Sequence, residues 1–373
     1  MTPDRRPRTV KWTVLLAVTT VLAMLASACG AAPTLATTPV AAPSTGALLI
    51  NGAGATFPYP LYSRWFYEYA FINPGMKFNY QSIGSGGGIT QIKAKTVDFA
   101  GSDAILSDAD YAAVAPARLQ MLPIVAGAVV PTYNVKELAG KDPLVLDYKT
   151  MAGIFLGTIT KWNDPAIVAL NPGLTLPAKD IIVVHRSDGS GTSFIFTSYL
   201  AAVSSDWKSK VGASTSVNWP VGLGGKGNEG VAGTVSQNDG AIGYVELAYA
   251  KQNKLAYSKM KNVAGTTVEA TVAATQNAVT NFGANMPDTL AVSIVNAPGK
   301  DSWPIAGYTY LIIYVDQQDC TRGKAVLDFV RWAVTDPASK FASELDYVPL
   351  SSNVRSTVLA KLDQVTCQGK PLK

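Results

Sequence analysis

Along this chain, short apolar runs alternate with segments of helical spacing, a rhythm that predicts an α/β fold. Residues 48–51, 77–82, 97–100, 181–184, 241–245 and 308–315 read as strands, rich in β-branched and aromatic side chains. Helices are expected over 61–69, 89–94, 148–156, 165–170, 193–200 and 231–237, and around 269–282. Three amphipathic helices close the chain, at 324–335, 337–345 and 353–365. The unbroken apolar run 122–131 fits a strand that leaves one domain for the next, and 308–315 fits one that returns.

The turns between these elements carry the chemistry. Gly52 to Pro58, Ile83 to Gly88, Gly101 to Ala104 and Arg186 to Thr192 each join a strand to a helical segment and are rich in Gly, Ser, Thr or Asp. In open α/β sheets, ligands gather at the carboxyl ends of strands. The first N–H groups of a helix lack partners, and with the positive end of the helix dipole they attract anions. Arg186 adds a planar forked cation suited to oxyanions. A purely structural turn, capped by Ser190 or Thr192 with Arg186 paired to Asp188, fits the same residues.

With 373 residues and 48% hydrophobic positions, the chain is large enough for two domains of ordinary size. Its net charge of +5 is concentrated at the start, where Arg5, Arg6, Arg8 and Lys11 face only Asp4. The remainder has no basic run, which argues against nucleic acid as a partner. The same charged start, followed by the apolar stretch 12–24 and small residues up to Cys29, reads as a signal peptide over 1–28. Small residues before a lone cysteine resemble a lipobox, although Leu25 stands four places before Cys29 and Ala26 three. A lipid (palmitate) on Cys29 and a tether over 29–45 are therefore expected, the latter rich in Ala, Pro and Thr. An exported protein with two further cysteines, Cys320 and Cys367, is expected to join them.

Apparatus for catalysis is missing from the pattern. Ser190 lacks the flanking glycines of a nucleophile elbow, since Asp188 and Thr192 occupy those places. His185, the one histidine, lies a single residue from Arg186 on a strand and should point to the opposite face. No spacing suggests a metal site, and neither glycine-rich loop ends in the lysine and hydroxyl of a P-loop. The chain reads as a binding protein rather than an enzyme, without a cofactor.

Four clusters in order resemble the signature of the PstS family, the phosphate-binding components of bacterial phosphate-specific ABC transporters. They are Gly52 to Pro58, Gly84 to Gly88, Phe99 to Ala104 and Arg186 to Phe194, with further landmarks at Gly227 to Gly230, Gly240 to Glu246 and Trp303 to Ile305. Gly86 and Ser187 depart from residues common in the family, which have serine and alanine there. The resemblance implies a two-lobed periplasmic-binding-protein fold, its hinge between two mixed or parallel-sheet domains. It places lobe I at 46–122 plus 304–373 and lobe II at 123–303. Its ligand shell would comprise Thr56, Phe57, Ser85, Asp103, Arg186, Ser190, Gly191 and Thr192, with Asp103 the one acceptor and Asp188 orienting Arg186. The partners it implies are inorganic phosphate, the permease and ATPase subunits of the transporter and, through the lipid anchor, the outer face of the cell membrane, with the protein a monomer. A secreted phosphatase using the same pocket, or a binder or sensor of another oxyanion, are the competing functions.

Overall fold

The computed structural model describes residues 46–282 and 286–372. The expected signal peptide, the lipidation site Cys29 and the tether lie outside the described residues. Eight principal strands share one sheet: β1 (Leu48–Gly54), β2 (Met76–Ser82), β3 (Phe99–Ser102), β4 (Leu119–Asn134), β5 (Ile182–Arg186), β6 (Leu223–Gly225), β7 (Ala241–Glu246) and β8 (Ala306–Tyr314). Their order is β2-β1-β3-β8-β4-β7-β5-β6, and two short strands, Ala256–Tyr257 and Val348–Pro349, add to β4. β1 is parallel to β2 and β3, and β5 is parallel to β6 and β7. β8 runs antiparallel to β3 and β4, and β4 antiparallel to β7.

The two-lobed architecture turns on β4. Its first part, up to Ala128, pairs with β8, and its second part, from Val129, pairs with β7. All of it except Gln120 and Asn134 is buried. A strand covered on both faces must be apolar throughout, which is why its sequence shows a continuous run instead of an alternation. The chain crosses back beside the same point: Val129 N–H donates to Ile305 O at 2.8 Å, and the Trp303 indole donates to Val129 O at 3.1 Å.

Each half has an aromatic core. On one side Phe66, Phe78, Phe99 and Phe329 pack together, Phe78 and Phe329 with ring centroids 4.6 Å apart. On the other, Phe196 stacks on Tyr244 at 4.2 Å beside Phe155 and Trp219. Trp65, Trp162 and Trp207 are fully buried, yet each indole N–H finds a carbonyl, on Ala338, Gly240 and Gly212. Apolar area is thus removed from water without stranding a donor. Cys320 and Cys367 are joined in a disulfide.

Four helices start at the carboxyl ends of the parallel strands: α1 (Tyr59–Ile72), α2 (Ser85–Lys93), α3 (Gly191–Val203) and α4 (Gly227–Gln237). α2 and α4 begin four residues earlier than their apolar periodicity suggests, because their first turns, Ser85 to Gly88 and Gly227 to Gly230, hold only glycine and polar residues and carry no apolar pattern. These glycines serve close packing: a Cβ on Gly88 would lie 2.6 Å from Gly54 Cα, so α2 can rest on β1 only without side chains there. Among the described residues, no helix is long and apolar enough to cross a membrane.

Candidate anion-binding site

The eight residues of the expected shell are all buried and lie where strands give way to helices. Thr56 and Phe57 follow β1, Ser85 opens α2, Asp103 follows β3, Arg186 ends β5, and Ser190, Gly191 and Thr192 begin α3. Their distance in sequence is closed by the parallel register, which stacks the ends of β1 and β3 side by side. Gly191 shows how tightly they converge: a Cβ there would collide with both Asp103 Oδ2 and Ser85 Oγ. Asp103 N–H in turn donates to Ser85 Oγ at 3.2 Å.

Arg186 is held in a fixed pose. Its Nε donates to Asp188 Oδ1 at 2.8 Å, Nη2 to Asp188 Oδ2 at 2.6 Å, and Nη1 to Thr192 Oγ1 at 3.2 Å. Of the five N–H groups a guanidinium carries, two are left, one on each terminal nitrogen, and they form the fork that matches an oxyanion. Burial alone would raise the Asp188 carboxyl, but its bonds from Arg186 and from the Gly227 N–H outweigh this and hold it below the usual range. Asp188 therefore stays ionised and neutralises Arg186 while aiming it. The pairing of Arg186 with Asp188 expected of a structural turn is present, and it leaves the fork of Arg186 uncommitted.

The start of α3 is built for donation. Ser190 Oγ caps the helix by accepting from Ser193 N–H at 3.0 Å, and Ser190 N–H is bonded to Thr215 O at 2.8 Å. Gly191 and Thr192, in the first turn, have N–H groups without a partner four residues earlier. The hydroxyls of Thr56 and Thr192 are bridged by Asn228 Nδ2, at 2.7 and 3.0 Å. Phe57 is fixed through its carbonyl, which accepts from Tyr347 O–H at 2.7 Å, and the Thr56 carbonyl accepts from Tyr249 O–H at 2.7 Å.

Asp103 lies against the start of α3 and Ser85. Oδ1 accepts from Thr309 Oγ1 at 2.7 Å, whereas Oδ2 is buried and has no partner. Burial pushes its pKa up to about 7, against the opposing pull of the Thr309 hydroxyl, the Arg186 charge and Ser85. A buried polar atom with an unused lone pair is costly, so Oδ2 marks a place where a hydrogen-bond donor belongs.

The two halves meet around these groups. Gly86 N–H donates to Gly189 O at 2.9 Å, and Asn228 reaches Thr56 across the joint. His185 stands apart: its ring stacks on Trp219 at 4.8 Å, and its Nδ1 lies 3.0 Å from Arg186 O. The sequence pattern did not single out Thr309, Tyr249 or Tyr347. Thr309 sits inside β8 between Tyr308 and Tyr310, in a run that reads only as a buried strand. Asn228 stood in a noted glycine-rich motif without a role.

Comparison with known proteins places this geometry. Residues 31–337 match the model of the PBP superfamily domain. A phosphate-binding protein PstS of Xylella fastidiosa (strain 9a5c) is 48% identical over 319 residues, covering 85% of this chain and 86% of the relative. The protein of the same name from Pasteurella multocida (strain Pm70) is 45% identical over 331 residues, covering 88% and 94%. The crystal structure of a high affinity periplasmic phosphate-binding protein, PfluDING, bound with phosphate, superposes with a TM-score of 0.70 at 24% identity, over 84% of this chain and 93% of that one. A phosphate-binding protein from Stenotrophomonas maltophilia gives a TM-score of 0.64 at 22% identity, over 84% and 94%. These last two show a common fold. Identity near one half over most of both chains shows more: this chain belongs to the PstS family within the PBP superfamily.

Proposed function

We propose that the protein captures inorganic phosphate outside the cytoplasm and delivers it to the permease and ATPase subunits of an ABC transporter. The single observation that carries this reading is Asp103 Oδ2, a buried acceptor without a partner placed among donors. Phosphate near neutral pH keeps at least one proton and can donate it to this oxygen; sulfate has none to give. Against sulfate an ionised Asp103 would oppose an unprotonated oxygen in a dry cleft. A site that turns on one such bond can reject the ligand lacking it by about four to five orders of magnitude.

The remaining shell disperses the anion's charge. Arg186 offers its free fork, Thr56, Ser85, Ser190 and Thr192 their hydroxyls, and Phe57, Gly191 and Thr192 their N–H groups. Each charge-assisted bond contributes about 1.5–3 kcal/mol before desolvation and closure are subtracted. A net of about −8 kcal/mol or better, micromolar or tighter, is then reasonable. Lobes of 46–122 plus 304–373 and of 123–303 would open about the crossings beside Val129, and phosphate would hold them together. Cys29 would carry the lipid that keeps a monomeric binding protein at the membrane surface. The familial likeness to named phosphate-binding proteins supports a binding role over phosphatase chemistry. Thermal-shift and calorimetric titration against phosphate, arsenate, sulfate and molybdate tests the assignment. Stabilisation by phosphate but not sulfate is expected; product release from a chromogenic phosphate ester, or indifference to phosphate, would overturn it.

A further inference from the structure

We infer that Asn228 is a positioning residue that commits the Thr56 and Thr192 hydroxyls to donation, and that it does so only when the two halves of the molecule are together. The inference rests on the phosphate reading proposed above. Asn228 is fully buried in the first turn of α4, and its Oδ1 accepts from Glu246 N–H at 3.0 Å. That bond settles which way the amide points, since only an oxygen can accept there. Nδ2 is therefore the atom that faces the hydroxyls, and it spends one hydrogen on Thr56 Oγ1 and the other on Thr192 Oγ1.

Counting lone pairs gives the consequence. Thr56 Oγ1 receives a second donor, the Asn228 backbone N–H, at 3.2 Å. Thr192 Oγ1 receives its second from Arg186 Nη1 at 3.2 Å. Each hydroxyl oxygen thus has both lone pairs filled by N–H groups, none of which can accept in return. The single hydrogen of each hydroxyl has to seek an acceptor elsewhere, and a tetrahedral anion in the cluster is one. A threonine free to rotate would present a lone pair to the anion part of the time; these two cannot. Thr56 follows β1, whereas Thr192 and Asn228 lie beyond β4, so the bridge through Nδ2 exists only in the closed arrangement.

A binding cycle with inorganic phosphate tests this, using the wild-type protein, Asn228→Ala, the pair Thr56→Val with Thr192→Val, and all three changes together. Asn228→Ala should weaken phosphate binding by about tenfold to a hundredfold when the threonines are present. In the valine background the same change should cost less than about threefold, because the groups it acts through are gone. A residue that merely supports the fold would show the same loss in both backgrounds, and that result, or no loss at all, would overturn the inference. Should Asn228→Ala fail to fold, Asn228→Asp keeps the bond to Glu246 N–H and the shape while replacing the donor with an acceptor. It should lose at least as much affinity, and wild-type affinity would overturn the inference. Wild-type protein that binds no phosphate would refute the functional reading and this inference with it, whereas wild-type binding with additive losses refutes this inference alone.

Discussion

Replacing Asp103 by Asn tests the group on which anion selectivity turns in the proposed function. The Thr309 hydroxyl holds Oδ1 at 2.7 Å, leaving Oδ2 buried and unpartnered against Gly191 and Ser85. Burial raises the carboxyl from its ordinary 3.8 to about 7. That interval corresponds to about 4 kcal/mol against the ionised form in the closed state, an upper figure because opening the lobes readmits water. The sign follows from the raised value. The penalty is absent below about pH 4, grows as the pH rises, and is complete above about pH 7. A proton from phosphate relieves it at any pH, but sulfate can bind only when the carboxyl is itself protonated. Wild-type affinity for sulfate should therefore fall about tenfold for each pH unit above 7, while the Asn variant should show no such slope. Near pH 8 the ligand-free variant should also melt at a higher temperature than wild type, and its preference for phosphate over sulfate should shrink more than its affinity for phosphate. Competition calorimetry with both anions from about pH 6 to pH 9 reads the first result and thermal melts the second. An unchanged ratio of the two affinities in the Asn variant, or a flat sulfate profile in wild type, would refute the reasoning.

Arg186→Ala should lower phosphate affinity by well over about tenfold, or 1.4 kcal/mol, and Arg186→Lys should not restore it, since an ammonium cannot hold Asp188 and an anion with two forks; calorimetry decides. The Tyr347 hydroxyl donates to Phe57 O at 2.7 Å and to Glu246 Oε2 at 3.0 Å, so its one hydrogen is shared between two acceptors. Burial raises the Glu246 pKa well above its ordinary 4.5, so the cost of ionising it appears as pH rises past that value; Glu246→Gln should match wild type in thermal melts near pH 4 and exceed it near pH 8. Cys320→Ser opens a loop of 47 residues and should lower unfolding free energy by up to about 4 kcal/mol in denaturant titrations, with added reductant having no further effect on the variant.

The sequence made some of this legible and hid the rest for a physical reason. Strand-to-helix turns could be read because their signals are local: Ser107 and Asp110 form a capping box three residues apart, and Tyr148–Leu156 and Pro165–Leu170 begin at Asp caps and show plain apolar spacing. The helix Leu247–Gln252 is the counter-example: it follows β7 with no breaker, because Glu246 ends the strand and caps the helix with its own side chain, and no helix was expected there. Glycine-led helices lost their first turns to the same kind of silence. Within the site, the residues that touch the anion in the proposed function announce themselves as donors at turns, but those that aim them do not. Thr309 lies 206 residues from Asp103, and Asn228 lies 172 from Thr56, separations across which no periodicity carries information. Thr309 meets Asp103 through the pairing of β8 with β3, and Asn228 meets Thr56 only where β4 has brought both halves together. Positions of this kind are where a donor set becomes selective, since filling a neighbour's lone pairs decides what that neighbour can offer a ligand. In the proposed function the anion site is recognisable from its turns, whereas the buried partners that would aim its groups, Thr309 and Asn228, are visible only in three dimensions.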